Sequence, residues 1–268
     1  MSTPVMSFLQ RGSKLPLSRF SPIVRFKVKP KPKAFSSFCS SSPPPPPPPP
    51  HSGPQIHDSP VRVVGGIVAL CIAATTWNEY MKTQPVTKQS KWLSDFRNSW
   101  ILSRRNMEEG RWYTLITSTF MHNGWGHLLF NMFGLWSFGR PIARAFGIPS
   151  FLALYFGSGI AGGLLQDWHW KRTLPPGGNA AAVGASGCVV GLLGALTLVA
   201  PRMGVRFFFV PMTMWQSTLV GVVFSGVCIQ TGFLPWIGHV DHLGGMAFGA
   251  VYLFLAMRRG RIFSRKVP

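Results

Sequence analysis

Acidic residues are the scarcest class in this chain. Its 268 residues include seven Asp and Glu against 27 Lys and Arg, which gives a formal net charge of +20. An excess of this size is often the footprint of a nucleic-acid-binding surface. Here, however, eight of the basic residues precede position 34 and five lie in 258–266, while long apolar stretches between them carry almost no charge. Basic residues that flank apolar segments are typical of membrane topology, so we expect a lipid bilayer as partner and no nucleic acid.

Cysteines are also few, and their positions argue against the usual cysteine-based sites. The four are scattered without a CxxC or other metal-ligand spacing, and three lie in apolar stretches, where cysteine usually acts as a small hydrophobe. Histidines leave a zinc site as an alternative on ligand types alone, although no HExxH sequence is present. The residues that could ligate zinc are His122, His127, His239, His242 and Asp241. We predict no disulfide framework, no metal and no cofactor.

The first 57 residues contain no Asp or Glu and no long apolar run, but many Arg, Lys and Ser. This composition is typical of a mitochondrial or plastid transit peptide and argues against a secretory signal. The proline run over 43–50 predicts an extended linker. We predict a disordered presequence and linker over 1–57, a membrane domain over 58–257 and a basic tail over 258–268. A disordered cytosolic tail is the alternative for the first segment.

The middle of the chain is apolar and contains six candidate membrane spans. About twenty residues are needed to cross roughly 30 Å of hydrocarbon, and each segment approaches that length. Several are interrupted by Gly, Thr or His, which membrane helices tolerate better than soluble helices do. The spans cover approximately 61–80, 115–138, 148–168, 180–200, 207–233 and 239–257. The sequence therefore predicts an all-α membrane protein, a bundle of six transmembrane helices.

A serine with small neighbours lies in the fourth span, in the sequence Gly184-Ala185-Ser186-Gly187. Polar groups at membrane depth are costly, so each is by default a functional-site hypothesis. Ser186 is therefore a candidate nucleophile. The alternative is helix packing, because Gly187 and Gly191 form a GxxxG step and serine is common in membrane helices.

A histidine lies at the start of the last span. His242, Gly245 and Gly249 are spaced i, i+3 and i+7, which places them on one helix face. Glycines let such a face approach a partner helix closely. If the partner carries Ser186, the imidazole could act as its general base. The alternative is a packed, hydrogen-bonded core histidine.

A third polar element precedes both, in residues 122–131. His127 and Asn131 are four residues apart, so they point the same way from one helix. An imidazole and an amide aimed at one point can donate hydrogen bonds to a developing oxyanion. Alternatively, they bond each other or a neighbouring backbone.

Together the three elements resemble the rhomboid family of intramembrane serine proteases. The likeness covers residues 61–257 and rests on HxxxxHxxxN from His122, GASG at Ser186 and HLGGxxxG from His242, in that order. It implies a Ser186–His242 dyad without an acid, in a water-filled cavity open to one membrane face. It also implies an oxyanion hole formed by the backbone N–H of Ser186 and the side chains of His127 and Asn131. Five further residues would support the site, namely His122, Gly184, Gly187, Gly245 and Gly249.

The resemblance further implies that the substrates are membrane proteins, cut within or beside a transmembrane helix weakened by small or helix-breaking residues. Such weakening would help cleavage, because a peptide must leave its helix to expose a carbonyl. The chain also departs from the family pattern. Arg111-Trp112 reverses a common Trp-Arg pair, Val190 stands where many bacterial members have tyrosine, and Asp241 beside His242 is unusual.

The location follows from the presequence. Mitochondrial members of the family often carry an additional N-terminal span, and no apolar run precedes residue 61. The markedly basic presequence nevertheless favours the mitochondrial inner membrane over the plastid envelope.

Two other functions compete with proteolysis. A catalytically silent relative would bind membrane-protein clients, but such relatives typically lack the serine or histidine that this chain has. A transporter could use intramembrane histidines, but it would be expected to show two similar halves, and the sequence has no internal repeat.

Overall fold

The structure is a computed structural model that describes residues 59–207 and 210–259, without the side chains of Lys88 and Phe207. The predicted presequence over 1–57 and most of the predicted tail over 258–268 lie outside the described residues. The described part is mainly helical. Its helices are α1 (Ser59–Lys82), α2 (Val86–Trp100), α3 (Arg104–Glu108), α4 (Thr114–Thr117), α5 (Trp125–Phe146), α6 (Ile148–Thr173), α7 (Ser186–Val199), α8 (Met214–Thr231) and α9 (His239–Arg258).

Three of the described helices are long and apolar enough to cross a membrane. They are α1, α6 and α9, and they confirm long apolar helices at three of the predicted spans, 61–80, 148–168 and 239–257. The predicted count of six depends on the other three spans, which the structure forms differently.

The predicted span over 115–138 begins too early. The chain first forms α4 and a 3-10 turn at Ser118–Phe120. Gly124 then takes a φ of 86°, a conformation open mainly to glycine, and α5 starts after it. The helix therefore occupies Trp125–Phe146 and extends beyond the predicted end.

The predicted spans over 180–200 and 207–233 also begin too early. A short strand, β2 (Ala181–Ala182), precedes α7, which has 14 residues where about 20 are needed to cross the hydrocarbon. Before α8, Thr213 and Gln216 form a capping box in which each side chain bonds the other residue's backbone. Residues on both sides of these starts are apolar, so composition alone does not locate them.

Two short antiparallel strand pairs accompany the helices, which the all-α prediction did not include. In the first, β1 (Leu102–Ser103) pairs with β2. In the second, β3 (Gly204–Phe207) pairs with β4 (Val210–Thr213). The first pair ties the loop that follows α2 to the segment that leads into α7.

Helix α7 lies at the centre of the packing, where it contacts α5, α6, α8 and α9. Large apolar side chains fill the interior around it, including Leu135, Phe151, Tyr155, Leu192 and Leu253. The outer faces also expose large apolar side chains, among them Leu129, Phe133, Leu219, Val223 and Val251. Extended apolar surface of this kind is rare on soluble monomers and fits a lipid-facing exterior.

Candidate functional site

Ser186 is the first residue of α7 and follows a sharp turn. Gly184 has a φ of 123°, and its N–H donates to the Ser118 carbonyl at 2.9 Å. After this turn α7 starts with a half-buried Ser186. The first N–H groups of a helix lack intrahelical acceptors and create positive potential. Ser186 therefore lies where negative charge on a bound oxygen can be stabilised.

The imidazole of His127 lies directly against Gly184. A Cβ added to Gly184 would be 2.6 Å from His127 Cε1 and 2.9 Å from Nε2. The other ring nitrogen, Nδ1, accepts a hydrogen bond from the Asn123 N–H at 3.4 Å. A neutral imidazole that accepts at Nδ1 carries its proton on Nε2. The ring therefore presents a donor on the side of the Ser186 turn.

His122 supports the same turn from the other side. Its Nε2 accepts a hydrogen bond from the Ala185 N–H at 3.3 Å, and its ring packs edge-on to His127 with centroids 5.2 Å apart. Burial lowers the pKa of His122 to about 4. His122 is therefore neutral near pH 7, as an acceptor at Nε2 must be.

Asn131 is buried one helical turn after His127. Its Nδ2 donates to the His127 carbonyl at 2.9 Å, so one amide proton is used within α5. The sequence left open whether Asn131 bonds a neighbouring backbone group, and the structure contains such a bond. Within residues 59–207 and 210–259 the second amide proton makes no hydrogen bond, so it can serve as a donor.

His242 lies in the first turn of α9, on the helix that packs against α7. A Cβ added to Gly245 would collide with the carbonyl oxygen of Gly187. A Cβ added to Gly249 would collide with the carbonyl oxygen of Gly191. Both pairs advance by four residues in the same direction, so α7 and α9 are parallel. Their first turns therefore lie at the same end of the bundle.

This packing places Ser186 and His242 in the first turns of two helices that touch each other. Ser186 directly precedes Gly187, and His242 lies one turn before Gly245 on the same face. Neither side chain makes a hydrogen bond within the described part of the chain. Hydrogen bonds of catalytic groups are often long in unliganded enzymes and close when substrate binds.

His239, another of the residues that could ligate zinc, packs beside an aromatic ring and beside His242. The His239 ring packs 5.8 Å from Phe224 and 6.3 Å from His242, measured between centroids. Among residues 59–207 and 210–259, no group of three or more His, Cys, Asp and Glu is placed to hold a metal ion.

Sequence reasoning missed Asn106, which organises the loop between α2 and α4. Its Nδ2 donates to the carbonyls of Arg97 at 2.6 Å and Ile101 at 2.7 Å, while its Oδ1 accepts from Arg111 Nη1 at 2.8 Å. Arg111, in the reversed Arg-Trp pair, therefore still supports this loop. An asparagine in a polar loop gives no sequence signal of such a role.

A buried ion pair fastens this loop to α6. Arg104 Nη1 lies 3.1 Å from Asp167 Oδ1, and the Asp167 side chain is only 4% exposed. Nearby, the Arg105 side chain donates a hydrogen bond to Glu109 at 2.7 Å, which holds the pKa of Glu109 below its ordinary value. Through β1 and β2, the fastened loop positions the strand that leads into Ser186.

Comparison with known proteins adds a family to this geometry. The Rhomboid domain family model matches residues 109–259, more than half of the chain. The chain is 33% identical over 145 residues to Rhomboid protein 1, mitochondrial, of Saccharomyces cerevisiae, covering 52% of this chain and 40% of that protein. It is 33% identical over 178 residues to RHOMBOID-like protein 12, mitochondrial, of Arabidopsis thaliana, covering 61% and 52%.

A bacterial protein is also similar. The chain is 33% identical over 144 residues to Rhomboid protease GluP of Bacillus subtilis, covering 53% of this chain and 25% of that protein. The matched region thus spans about half or less of the length of these curated relatives.

Proposed function

The chain belongs to the rhomboid family, and we propose that it is an intramembrane serine endopeptidase that cleaves transmembrane segments of membrane proteins. One observation carries this proposal. Ser186 starts a helix at a glycine turn lined by His127, while the parallel packing of α7 and α9 puts His242 at the same end. A nucleophile, a base and an oxyanion donor then share one site.

In the proposed reaction, Ser186 Oγ attacks the scissile carbonyl carbon, and His242 accepts the hydroxyl proton. The carbonyl oxygen becomes an oxyanion, stabilised by the backbone N–H of Ser186, the Nε2–H of His127 and the second amide proton of Asn131. His242 then returns its proton to the leaving amine as the C–N bond breaks. Water, with His242 again as base, hydrolyses the acyl-enzyme and regenerates the serine.

We further propose that α5, α7 and α8 complete a six-helix bundle within the bilayer. At 1.5 Å per residue, the 14 residues of α7 cover about 21 Å, less than the roughly 30 Å of the hydrocarbon. We propose that this short helix begins below one membrane surface, so that Ser186 lies inside the bilayer. Hydrolysis there requires a water-filled cavity open to that surface.

The proposed substrates are membrane proteins whose transmembrane helix contains small or helix-breaking residues. A peptide bond inside an intact helix has its carbonyl hydrogen bonded and its backbone shielded by side chains. Gly and Pro cost about 1 and 3 kcal/mol relative to Ala in a helix, so they lower the free energy of local unwinding. We expect cleavage to slow when such residues near the cut are replaced by leucine.

We propose the mitochondrial inner membrane as the location. The basic, acid-free segment over 1–57 supports import into an organelle, and two of the relatives reported above are named as mitochondrial. Import of the full chain into isolated mitochondria and chloroplasts, followed by fractionation, tests this. Uptake by chloroplasts alone would favour the plastid envelope instead.

Cleavage of a model transmembrane substrate in proteoliposomes tests the activity. We expect Ser186→Ala and His242→Ala to lose at least about a thousandfold in rate, because the nucleophile and base act as a unit. The matched controls Ser137→Ala and His169→Ala, on other helices, should cleave normally, and a chelator should have no effect. Full activity of Ser186→Ala would overturn the proposal. Substrate capture without cleavage by wild type would favour a silent client-binding protein.

A further inference from the structure

Asp241 is an acidic residue within α9, a helix long and apolar enough to cross a membrane, and it directly precedes His242. An ionisable group in such a position is costly, and it therefore calls for a functional explanation. Asp241 belongs to none of the ion pairs formed by the described residues. Charge neutralisation by a basic side chain therefore does not explain its position.

The Asp241 carboxyl fills a notch that two glycines create between α6 and α7. A Cβ on Gly187 would lie 2.5 Å from Asp241 Oδ2 and 2.7 Å from Oδ1. A Cβ on Gly162 would collide with Oδ1 and lie 2.5 Å from the Asp241 carbonyl oxygen. Real Cβ atoms essentially never approach other heavy atoms this closely. Any side chain at either glycine would therefore displace the carboxyl.

The backbone of Asp241 is held by α6 as well. Its N–H donates to Gln166 Oε1 at 3.0 Å, and Gln166 is buried. This N–H belongs to the first turn of α9, where backbone donors lack intrahelical acceptors. Gln166 lies one turn after Gly162, so α6 contacts Asp241 at two consecutive turns.

The carboxyl also reaches the first turn of α7. Gly187, which the carboxyl contacts, directly follows Ser186. Asp241, the residue before the candidate base, therefore contacts Gly187, the residue after the candidate nucleophile. Its contacts lie on α6 and α7 rather than on the His242 imidazole.

We propose that Asp241 is a positioning residue, a wedge that fixes the rotation and depth of α9 so that His242 meets Ser186. This inference rests on the proposed function of Ser186 and His242. Asp241 acts through its shape and its packing in the notch, and it touches none of the reacting atoms. Asparagine, which has nearly the same shape, should therefore fill the same notch.

Steady-state kinetics of the full chain in proteoliposomes test this role. For Asp241→Ala we expect kcat to fall about 10- to 100-fold with KM unchanged, because a misplaced base slows the chemical step and not substrate binding. Labelling of Ser186 by a fluorophosphonate should slow in parallel. Asp241→Asn should recover most of both rates. The exposed acidic residue Asp95 provides the control, and Asp95→Ala should match wild type.

A double substitution tests the contact itself. Gly187→Ala places a methyl group against the Asp241 carboxyl, so it should strongly slow the labelling of Ser186. In the Asp241→Ala background the notch is empty, so adding Gly187→Ala should slow labelling much less than it does alone. Residues in contact show such non-additivity, whereas independent sites do not. Additive effects would overturn the inference.

The remaining outcomes separate the two proposals. If Asp241→Ala cleaves and labels at the wild-type rates while Ser186→Ala is inactive, the inference is overturned and the protease function stands. Equal losses in Asp241→Asn and Asp241→Ala would show that charge matters and would also overturn it. If wild type neither cleaves nor labels, the protease function fails and the inference fails with it. If Asp241→Ala does not fold, Asp241→Ser, which removes less side-chain volume, takes its place in the kinetic comparison.

Discussion

The Nε2 of His122 accepts a hydrogen bond from the backbone N–H of Ala185, directly before Ser186. This bond joins the segment before α5 to the turn that starts α7. It also fixes which nitrogen of His122 is free of a proton. The conformation of the Ser186 turn is thus linked to the protonation state of a buried histidine.

Replacing His122 by alanine should weaken the Ser186 turn. The substitution leaves the buried Ala185 N–H without its acceptor, which costs about 1–3 kcal/mol. His122→Gln keeps an acceptor in reach and should lose less. Thermal unfolding and substrate cleavage, compared among wild type, alanine and glutamine variants, measure the effect. Equal behaviour of the alanine and glutamine variants would contradict it.

Acid should destabilise the wild type through the same residue. The pKa of His122 is about 4 in the folded protein against an ordinary value of 6.5, so the unfolded chain binds the proton more readily. The contribution of neutral His122 to the free energy of unfolding is therefore complete above pH 6.5 and is lost as the pH falls towards 4. Unfolding temperatures measured across this range should fall more steeply for wild type than for His122→Gln. If the unfolding temperatures of the two proteins fall equally steeply, protonation of His122 does not cause the loss of stability in acid.

Gly184→Ala should abolish most of the activity. The new Cβ would meet His127 Cε1 at 2.6 Å, and the φ of 123° is strained for any side chain. A displacement of the oxyanion donor by about 1 Å can cost about a hundredfold in rate. Gly177→Ala is the control, because Gly177 also has a positive φ but nothing lies within 4 Å of its added Cβ. The prediction fails if both variants cleave at similar rates.

Gly249→Ala should destabilise the contact between α7 and α9. The added methyl would collide with the Gly191 carbonyl oxygen, and overpacking of this kind typically costs about 1–3 kcal/mol. Gly226→Ala, in α8, has open space around its Cβ and should be neutral or stabilising by up to about 1 kcal/mol, since alanine favours helix. Thermal unfolding of both variants in detergent micelles provides the comparison. A lower unfolding temperature for Gly226→Ala would contradict the packing argument.

Arg104→Ala should cost more stability than Lys171→Ala, although both remove a partner of Asp167. Arg104 is 16% exposed and Lys171 is 49% exposed. Removing one partner of a buried pair costs about 3–5 kcal/mol, whereas exposed pairs contribute about 0–1 kcal/mol. Denaturant titration of the two variants gives the difference directly. Similar losses would show that the buried contact with Arg104 contributes no more than the exposed contact with Lys171.

The sequence predicted the long apolar helices well, because length and composition alone determine whether a helix can span hydrocarbon. It did not locate the starts of α5, α7 and α8, since these depend on backbone features that composition does not record. Gly124 interrupts one helix through a positive φ, and the pairing of Ala182 with Leu102 holds another segment extended. These errors fell beside the candidate site, where the chain departs from regular helix.

The amino-acid sequence by itself determined which residue types carry chemistry, namely a serine among glycines, a histidine on a glycine face and a His–Asn pair one turn apart. It did so because residue type and helical spacing are local properties. Only the tertiary structure decided how these residues meet. The parallel contact of α7 and α9, the placement of His127 against Gly184 and the notch that holds Asp241 all depend on close backbone approach between distant segments. Such approach depends on a glycine meeting a distant segment in space, and no single segment of sequence contains that information.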